Sequence, residues 1–370
     1  MLGCLAAGGP SWLNRCEDIN SRSGKRMQNR QVFEGTVGML DDDSIAGAVA
    51  KIRQNDAAGR EQILAAVCWA AFACPQAITP IFDALAKAWL GAEKGLVPAM
   101  AAEPDNLPSA PLESSFWQAF WSVIDQKNFD AISITAAVAG LGGAVHSSML
   151  ALSEAAAAQH PGASAAKTRP VPGHTDLKAL ATTPKNSLGY TLHQMVVDNG
   201  YDLEVLDRDA IQLSELPPAL RYLNVRILQM HDVWHLAAGY STSGSHEIAI
   251  SAFQLAQFGH NYSAMFLAVV LMKSHVGTPR SFTLLLQLIL EAWRHGRQVP
   301  AMMEIEWEAE WQHSIEDIRK RYDIKPYRSV LPANMLEVFG GGSWWQRLRL
   351  GWQLSRLLKQ LKSGQNPYYA

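Results

Sequence analysis

Residues Leu216–Ile250 read LPPALRYLNVRILQMHDVWHLAAGYSTSGSHEIAI. Pro217 and Pro218 suit a helix start, where a backbone N–H has no intrahelical partner anyway, and Gly239 suits its end. Between them apolar residues recur at three and four spacings, the period of a helix with one buried face. A polar turn, STSGS, follows Tyr240, and Ser245 or a neighbour can cap a second helix.

Working outward, the same period recurs in Gln62–Ala73, Ile81–Leu90, Ser115–Ile124, Ile248–Phe258, Ser281–Trp293 and Ser314–Tyr322. Period-two alternation of any length is absent, and Asn199-Gly200 lacks alternating strands on both sides, so it reads as a helix-ending turn. The predicted fold class is all-α: a helical domain with its chemistry on an antiparallel helix hairpin, plus a basic amphipathic C-terminal tail.

Composition divides the chain into five stretches. Residues 1–38 read as a poorly ordered N-terminal extension, whose true start could be a later methionine such as Met27. They lack the apolar central region of a secretory signal, and Glu17 and Asp18 argue against a transit peptide. Residues 39–153 form a helical region. Residues 154–186, with Pro161, Pro170, Pro172 and Pro184, form a linker. Residues 187–330 carry the chemistry, and 331–370 form the tail. The segment Ala131–Ser153 is uncharged but rich in Ala, Gly, Ser and Thr, and reads as a helix pair around Gly140, Gly142 and Gly143. A bilayer span of roughly 18 strongly apolar residues is not expected.

A net charge of −2 with no basic stripe in the central chain gives no reason to expect nucleic-acid binding. Only 18% of residues are charged, which points to apolar surface or a lipid-facing cavity. None of Cys4, Cys16, Cys68 and Cys74 forms a C-x-x-C pair, and Cys68 and Cys74 read as small core residues. The tail differs in kind. After Glu337 it holds Arg347, Arg349, Arg356, Lys359 and Lys362 and no acid, with Trp344, Trp345 and Trp352 close together. Two readings stand: an interfacial helix on anionic lipid, or a helix docked on the protein's own core or a partner.

His231 and His235 are four apart, so both imidazoles project from one helix face about one turn apart. Two ring nitrogens at that spacing can reach one ion. Asp232 can ligate too, or orient a ligand from behind it. If the two helices fold back on each other, Glu247 returns toward the histidines. A bare pair of histidines at this spacing is commonly structural; the acid after the tight turn makes a metal set of His231, His235 and Glu247, with Asp232 beside them either as a ligand or behind one. His246 and His260 read as polar-edge or satisfied core histidines. The position where a metalloprotease helix carries Glu holds Asp232, which argues against peptide hydrolysis. A phosphohydrolase would want a further His and Asp on other helices; His193 and Asp317 exist, but nothing in their settings recommends them.

The pattern His231-Asp232-x-x-His235, eleven residues, then Glu247 resembles the signature of the ubiquinone-biosynthesis family known as coenzyme Q biosynthesis protein 4. NSLGYTLHQMVVDNGYD, around Leu188-Gly189, and WRHGRQVPAMMEIEWEAEWQHSIEDIRKRYDI, with Gly296-Arg297, Trp307-Glu308 and Trp311, are similar to further segments of that family. The likeness runs from about Leu180 to Ile324. It implies a helical, membrane-associated protein that binds a prenylated quinone precursor, with the four ligands near its head group. It also implies metal-dependent, oxidative removal of the head-group carboxylate or, alternatively, a non-catalytic lipid-binding scaffold organising other ubiquinone-biosynthesis proteins. Zn2+ is the first metal expected and Fe2+ the rival, because two histidines and a carboxylate also form the set used by ferrous oxygenases. Asp232, Arg294 and Arg297 are the catalytic candidates, the arginines as contacts for an anionic head group. A homo-oligomer on a membrane surface is expected, at the cytoplasmic face in a bacterium or the matrix side of the mitochondrial inner membrane in a eukaryote.

Overall fold

The computed structural model describes residues 28–91, 106–126, 131–200, 213–277 and 279–364. Residues 1–27 of the expected extension, with Cys4 and Cys16, lie outside them. Residues 28–34 are helical, and Phe33 is buried edge-on against Trp117 and Trp121.

Short polar side chains start many of the helices by accepting the N–H groups that a first turn leaves unpaired. Asp41 does this for α1 (Asp42–Arg53) through Ser44 N, and Asp56 for α2 (Ala57–Phe72) through Ala58 N. After α3 (Ile78–Leu90), α4 (Ser114–Asp125), α5 (Ala131–Gly142) and α6 (Ser148–Gln159) comes α7 (Leu188–Asn199), capped by Ser187 and closed by Gly200 at φ +66. Then follow α8 (Pro218–Ala238), α9 (Gly244–Phe258), α10 (Asn261–Gly277), α11 (Pro279–Gln298), α12 (Ile315–Tyr322), α13 (Met335–Gly341) and α14 (Trp344–Lys362). The described residues contain no β-strand, only an isolated bridge between Ser187 and Ser314. The protein is all-α.

One contiguous apolar cluster runs from Phe33 to Leu361. Helices α9, α10 and α11 pack on one another at its centre, and α2 and α3 cover α10 and α11. The helices before the Pro/Ala-rich segment are thus part of the same core as those after it. Its first residues, 154–159, belong to α6 rather than to a linker, and the rest is broken into short turns, including Ala165–Thr168 and Leu177–Leu180. Helix α10 is apolar nearly all round, which is the mark of a helix surrounded by others. No helix of the described residues is long and apolar enough to cross a membrane. Cys68 and Cys74 are buried free thiols, and burial raises both pKa values.

Candidate metal centre

Helix α8 is fastened at both ends by residues distant in sequence. Pro217 and Pro218 leave its first turn without a side-chain cap of its own, and the Glu154 carboxylate of α6 accepts from Ala219 N and Leu220 N, both at 2.9 Å. At the other end, Gly239 takes φ +81, a left-handed conformation that glycine adopts without strain. Arg319 of α12 donates to the carbonyls of Ala237 and Leu236, both at 2.8 Å, and Tyr327 N donates to Ala238 O at 2.7 Å. The start of α9 differs from the expectation for Ser245. Ser243 is the capping residue by position but makes no side-chain cap, and Glu337 of α13 accepts from Gly244 N at 2.6 Å instead. Ser245 lies inside the helix and is buried.

This corner brings the four predicted residues together. His231 Nε2 lies 3.0 Å from His235 Nε2, and the Glu247 oxygens lie 3.4 Å from each of these nitrogens. The ligand atoms of His231, Asp232 and His235 all fall within 4.8 Å of one another. Donor atoms 3.0 to 3.4 Å apart are spaced like the vertices of one coordination shell of radius roughly 2 Å. Two imidazole lone pairs facing each other need a proton or a cation between them. His231, Asp232 and His235 are thus a group that could hold a metal ion, and Glu247 adds a carboxylate beside the two imidazoles.

The neighbours fix how the rings point. His235 Nδ1 faces the Tyr240 carbonyl at 3.3 Å, so it carries the hydrogen and donates, and Nε2 keeps its lone pair for the cluster. Tyr240 is held in turn: its hydroxyl donates to His295 Nδ1 at 2.8 Å, while His295 Nε2 donates to Lys325 O at 2.7 Å. Burial pushes the His295 pKa down to about 4, which keeps that ring neutral. The His231 Nδ1 meets the Gln254 side-chain amide at 2.8 Å. The Gln254 Nε2 amide donates to Nδ1 and holds the ring in place.

Charge follows the same geometry. Burial raises the Asp232 pKa; the two histidines act against that, and Glu247 adds to it. Burial alone would raise Glu247 and lower His235. Hydrogen bonds and attraction between them reverse both, leaving Glu247 well below and His235 above the ordinary value. Exposure is uneven. The side chain of His235 is 1% exposed, whereas His231 is 31% and Glu247 41% exposed.

The other candidates sit elsewhere. Arg294 donates to the carbonyls of Ala86, Leu90 and Gly91 at the end of α3, and Arg297 pairs with Asp83 at 3.1 Å. Both fasten α11 to α3. His246 accepts from Ser241 N at 2.8 Å, and His260 is bonded to Ser263 at 2.9 Å. Sequence reasoning missed Gln254, Tyr240, His295 and Glu154. The RHGR stretch drew attention to its arginines, while its histidine holds the residue that orients His235. A cavity of about 580 Å³ lies between the 169–180 segment, the first half of α8 and residues 306–311. None of the four site residues lines it, and four of its charges form two pairs, Arg226 with Glu308 and Arg169 with Glu306.

The family model described as coenzyme Q (ubiquinone) biosynthesis protein Coq4 matches residues 108–328. A mitochondrial ubiquinone biosynthesis protein COQ4 homolog from Drosophila virilis is 27% identical over 154 residues, covering 41% of this chain and 55% of that protein. The corresponding homolog from Anopheles gambiae is 22% identical over 150 residues, covering 40% and 51%. The chain spans about half the length of the curated relatives it matches. A Nostoc punctiforme protein of known crystal structure is similar at 22% identity and a TM-score of 0.43, over 57% of this chain and 97% of that one.

Proposed function

Because the chain belongs to the Coq4 family of coenzyme Q (ubiquinone) biosynthesis proteins, we propose that it removes the ring carboxylate from a prenylated quinone precursor. In this reading His231, Asp232, His235 and Glu247 hold the divalent metal that assists. The observation that carries the reading is the uneven exposure of the cluster. His235 and Asp232 are buried, whereas His231 and Glu247 form an edge that solvent, and so a substrate oxygen, can reach. A purely structural site would be closed on all sides; a catalytic one keeps an approach.

A bound metal would supply Lewis-acid stabilisation of negative charge on the substrate's oxygens. The chain's own residues do the rest. Gln254 and the Tyr240 carbonyl hold the orientation of the two rings, so both Nε2 atoms face the centre. In simple decarboxylation the ring–carboxyl bond breaks, carbon dioxide leaves, and a proton takes its place on the ring carbon. Solvent reaching the open edge at His231 and Glu247 supplies that proton. If a hydroxyl rather than hydrogen takes the vacated position, water supplies its oxygen and dioxygen takes up the two electrons and leaves as hydrogen peroxide, a reaction for which Fe2+ rather than Zn2+ would suit the site. Arg294 and Arg297 take no part, since their guanidinium groups fasten α11 to α3.

The second reading is a scaffold in which the metal only pins α8 to α9, and the bridging of both histidines by Glu247 favours it. The two differ in one experiment. Cells lacking the protein, and cells carrying His235→Ala at normal protein level, are compared for quinone intermediates by mass spectrometry. The enzyme reading expects a carboxylated prenyl-phenol to accumulate in both. An unchanged quinone profile in the null cells counts against any role on this head group. Metal content of anaerobically purified protein then separates zinc from iron: stoichiometric zinc, with activity surviving iron chelation, excludes the iron form.

A further inference from the structure

Helix α14 lies outside the residues matched by the family model, and its two faces do different work. Leu350, Leu354, Leu357, Leu358 and Leu361 are buried, and the helix packs on α1, α11 and α13. At roughly 100° per residue these leucines fall in one arc. Trp345, Leu348 and Trp352 fall on the opposite side, and they are 66%, 54% and 63% exposed. Trp344, stacked on Trp345 at 3.9 Å, is 59% exposed. Every other tryptophan among the described residues is buried or half-buried. The two sequence readings of the tail thus belong to two faces: leucines dock the helix to its own bundle, and tryptophans point away from it.

The charges say what could meet that outer face. Helix α14 has no acidic residue. By the same angular count, Lys359 lies two turns beyond the Trp345 and Trp352 azimuth, and Arg349 and Arg356 border it. All three are exposed, and the Arg356 guanidinium sits 4.7 Å from the centre of the Trp352 ring. A second copy packed symmetrically on this face would bring cation against cation with no acid between them. An anionic lipid surface offers the complement. Tryptophan rings settle at the headgroup level, where the indole N–H stays wet, and basic side chains meet the lipid phosphates and carboxylates. The leucines cannot enter the lipid, because the protein already covers them.

We propose that the outer face of α14, Trp345, Leu348 and Trp352 bordered by Arg349, Arg356 and Lys359, docks the folded protein onto an anionic lipid surface. The helix lies parallel to that surface and does not insert across it. Because α14 packs on α11, docking fixes the orientation of the central bundle relative to the lipid. The inference is independent of the reaction at the histidine cluster, and its test reads binding rather than turnover.

The test is co-sedimentation of the full chain with vesicles of phosphatidylcholine plus phosphatidylserine, against phosphatidylcholine alone, at low and high salt. Binding to the mixed vesicles that weakens as salt rises is expected, with little binding to phosphatidylcholine. The paired outward substitution Trp345→Ser with Trp352→Ser should weaken binding about tenfold or more, and Arg356→Glu with Lys359→Glu should remove its salt dependence. Circular dichroism and thermal melting should stay unchanged, since neither pair touches the leucine face. Equal binding to both vesicle types, no binding to either, or full binding by the tryptophan variant overturns the proposal. So does a salt-resistant dimer in analytical ultracentrifugation that the tryptophan substitutions dissolve, which would make this face a contact between copies.

Discussion

Two regions of the molecule bury titratable groups, and they treat them differently. Along α11, the buried charged groups face partners that satisfy them. Arg294 spreads over three carbonyls at the end of α3, Arg297 pairs with Asp83, and Glu291 accepts from Gln287 and Val330 and from the Ser329 hydroxyl. At the corner between α8 and α9, His231, His235 and Glu247 point their lone pairs at one another, and one edge stays open. The first arrangement is complete without a ligand. The second is complete only with a shared proton or cation. Burial of charge does not by itself mark a site; convergence of acceptors does.

Arg294→Ala should break the first region most severely. It strips the cation from the carbonyls that end α3 and should cost on the order of 4 kcal/mol in urea unfolding, with metal stoichiometry of the folded fraction unchanged. An unaltered denaturation midpoint would remove the contrast between the two regions.

Glu291 supplies a pH signature for the same helix. Burial raises its pKa from 4.5 to about 7, against the hydrogen bonds it accepts. The native state therefore holds this proton more tightly than the unfolded chain. The resulting stability is present in full below pH 4.5 and is lost as pH rises through 7. The span is about 3 kcal/mol. In Glu291→Gln, urea unfolding should lose that slope across the window; an identical slope in both proteins would show that Glu291 is not its source.

For the second region the expected effect is on binding rather than folding. His231→Ala, or Glu247→Ala, should weaken zinc affinity about a hundredfold, on the order of 2.7 kcal/mol, in competition with a chromophoric chelator. Metal-free stability should shift by less than about 1 kcal/mol. Collapse of the metal-free fold in these variants would place the histidines with Arg294, as parts of the framework. The mildest expected change is Gln254→Leu. It leaves all four ligands in place but frees the His231 ring, and should weaken metal affinity about tenfold. Unchanged affinity would mean that packing alone orients that ring.

Much of this was legible in the chain. The periodic segments around Leu64, Phe82, Phe120, Val233, Phe253 and Leu288 are helices, because spacing at three and four residues records which face is buried. Gly200 and Gly239 end helices as read. Helix α10 carried no such signal, since a helix buried on all sides has no polar face to set a period. Helix α1 was also missed, although Asp41 stands at its start as a capping residue should. Within the site, the spacing of His231, His235 and Glu247 depends only on one helix, one turn and the next helix. That is local geometry, and sequence carries local geometry well.

By itself, then, the sequence determined the helical class, the helix–turn–helix corner and the approach of His231, His235 and Glu247 there, because each follows from contacts a few residues apart. Tertiary structure decided the rest. It gave Arg294 and Arg297 to α3, brought Gln254 and the Tyr240–His295 pair to the histidines, and turned the leucines of α14 inward and its tryptophans outward. Those outcomes join residues tens to hundreds of positions apart, and a partner at that distance is chosen by how whole helices pack.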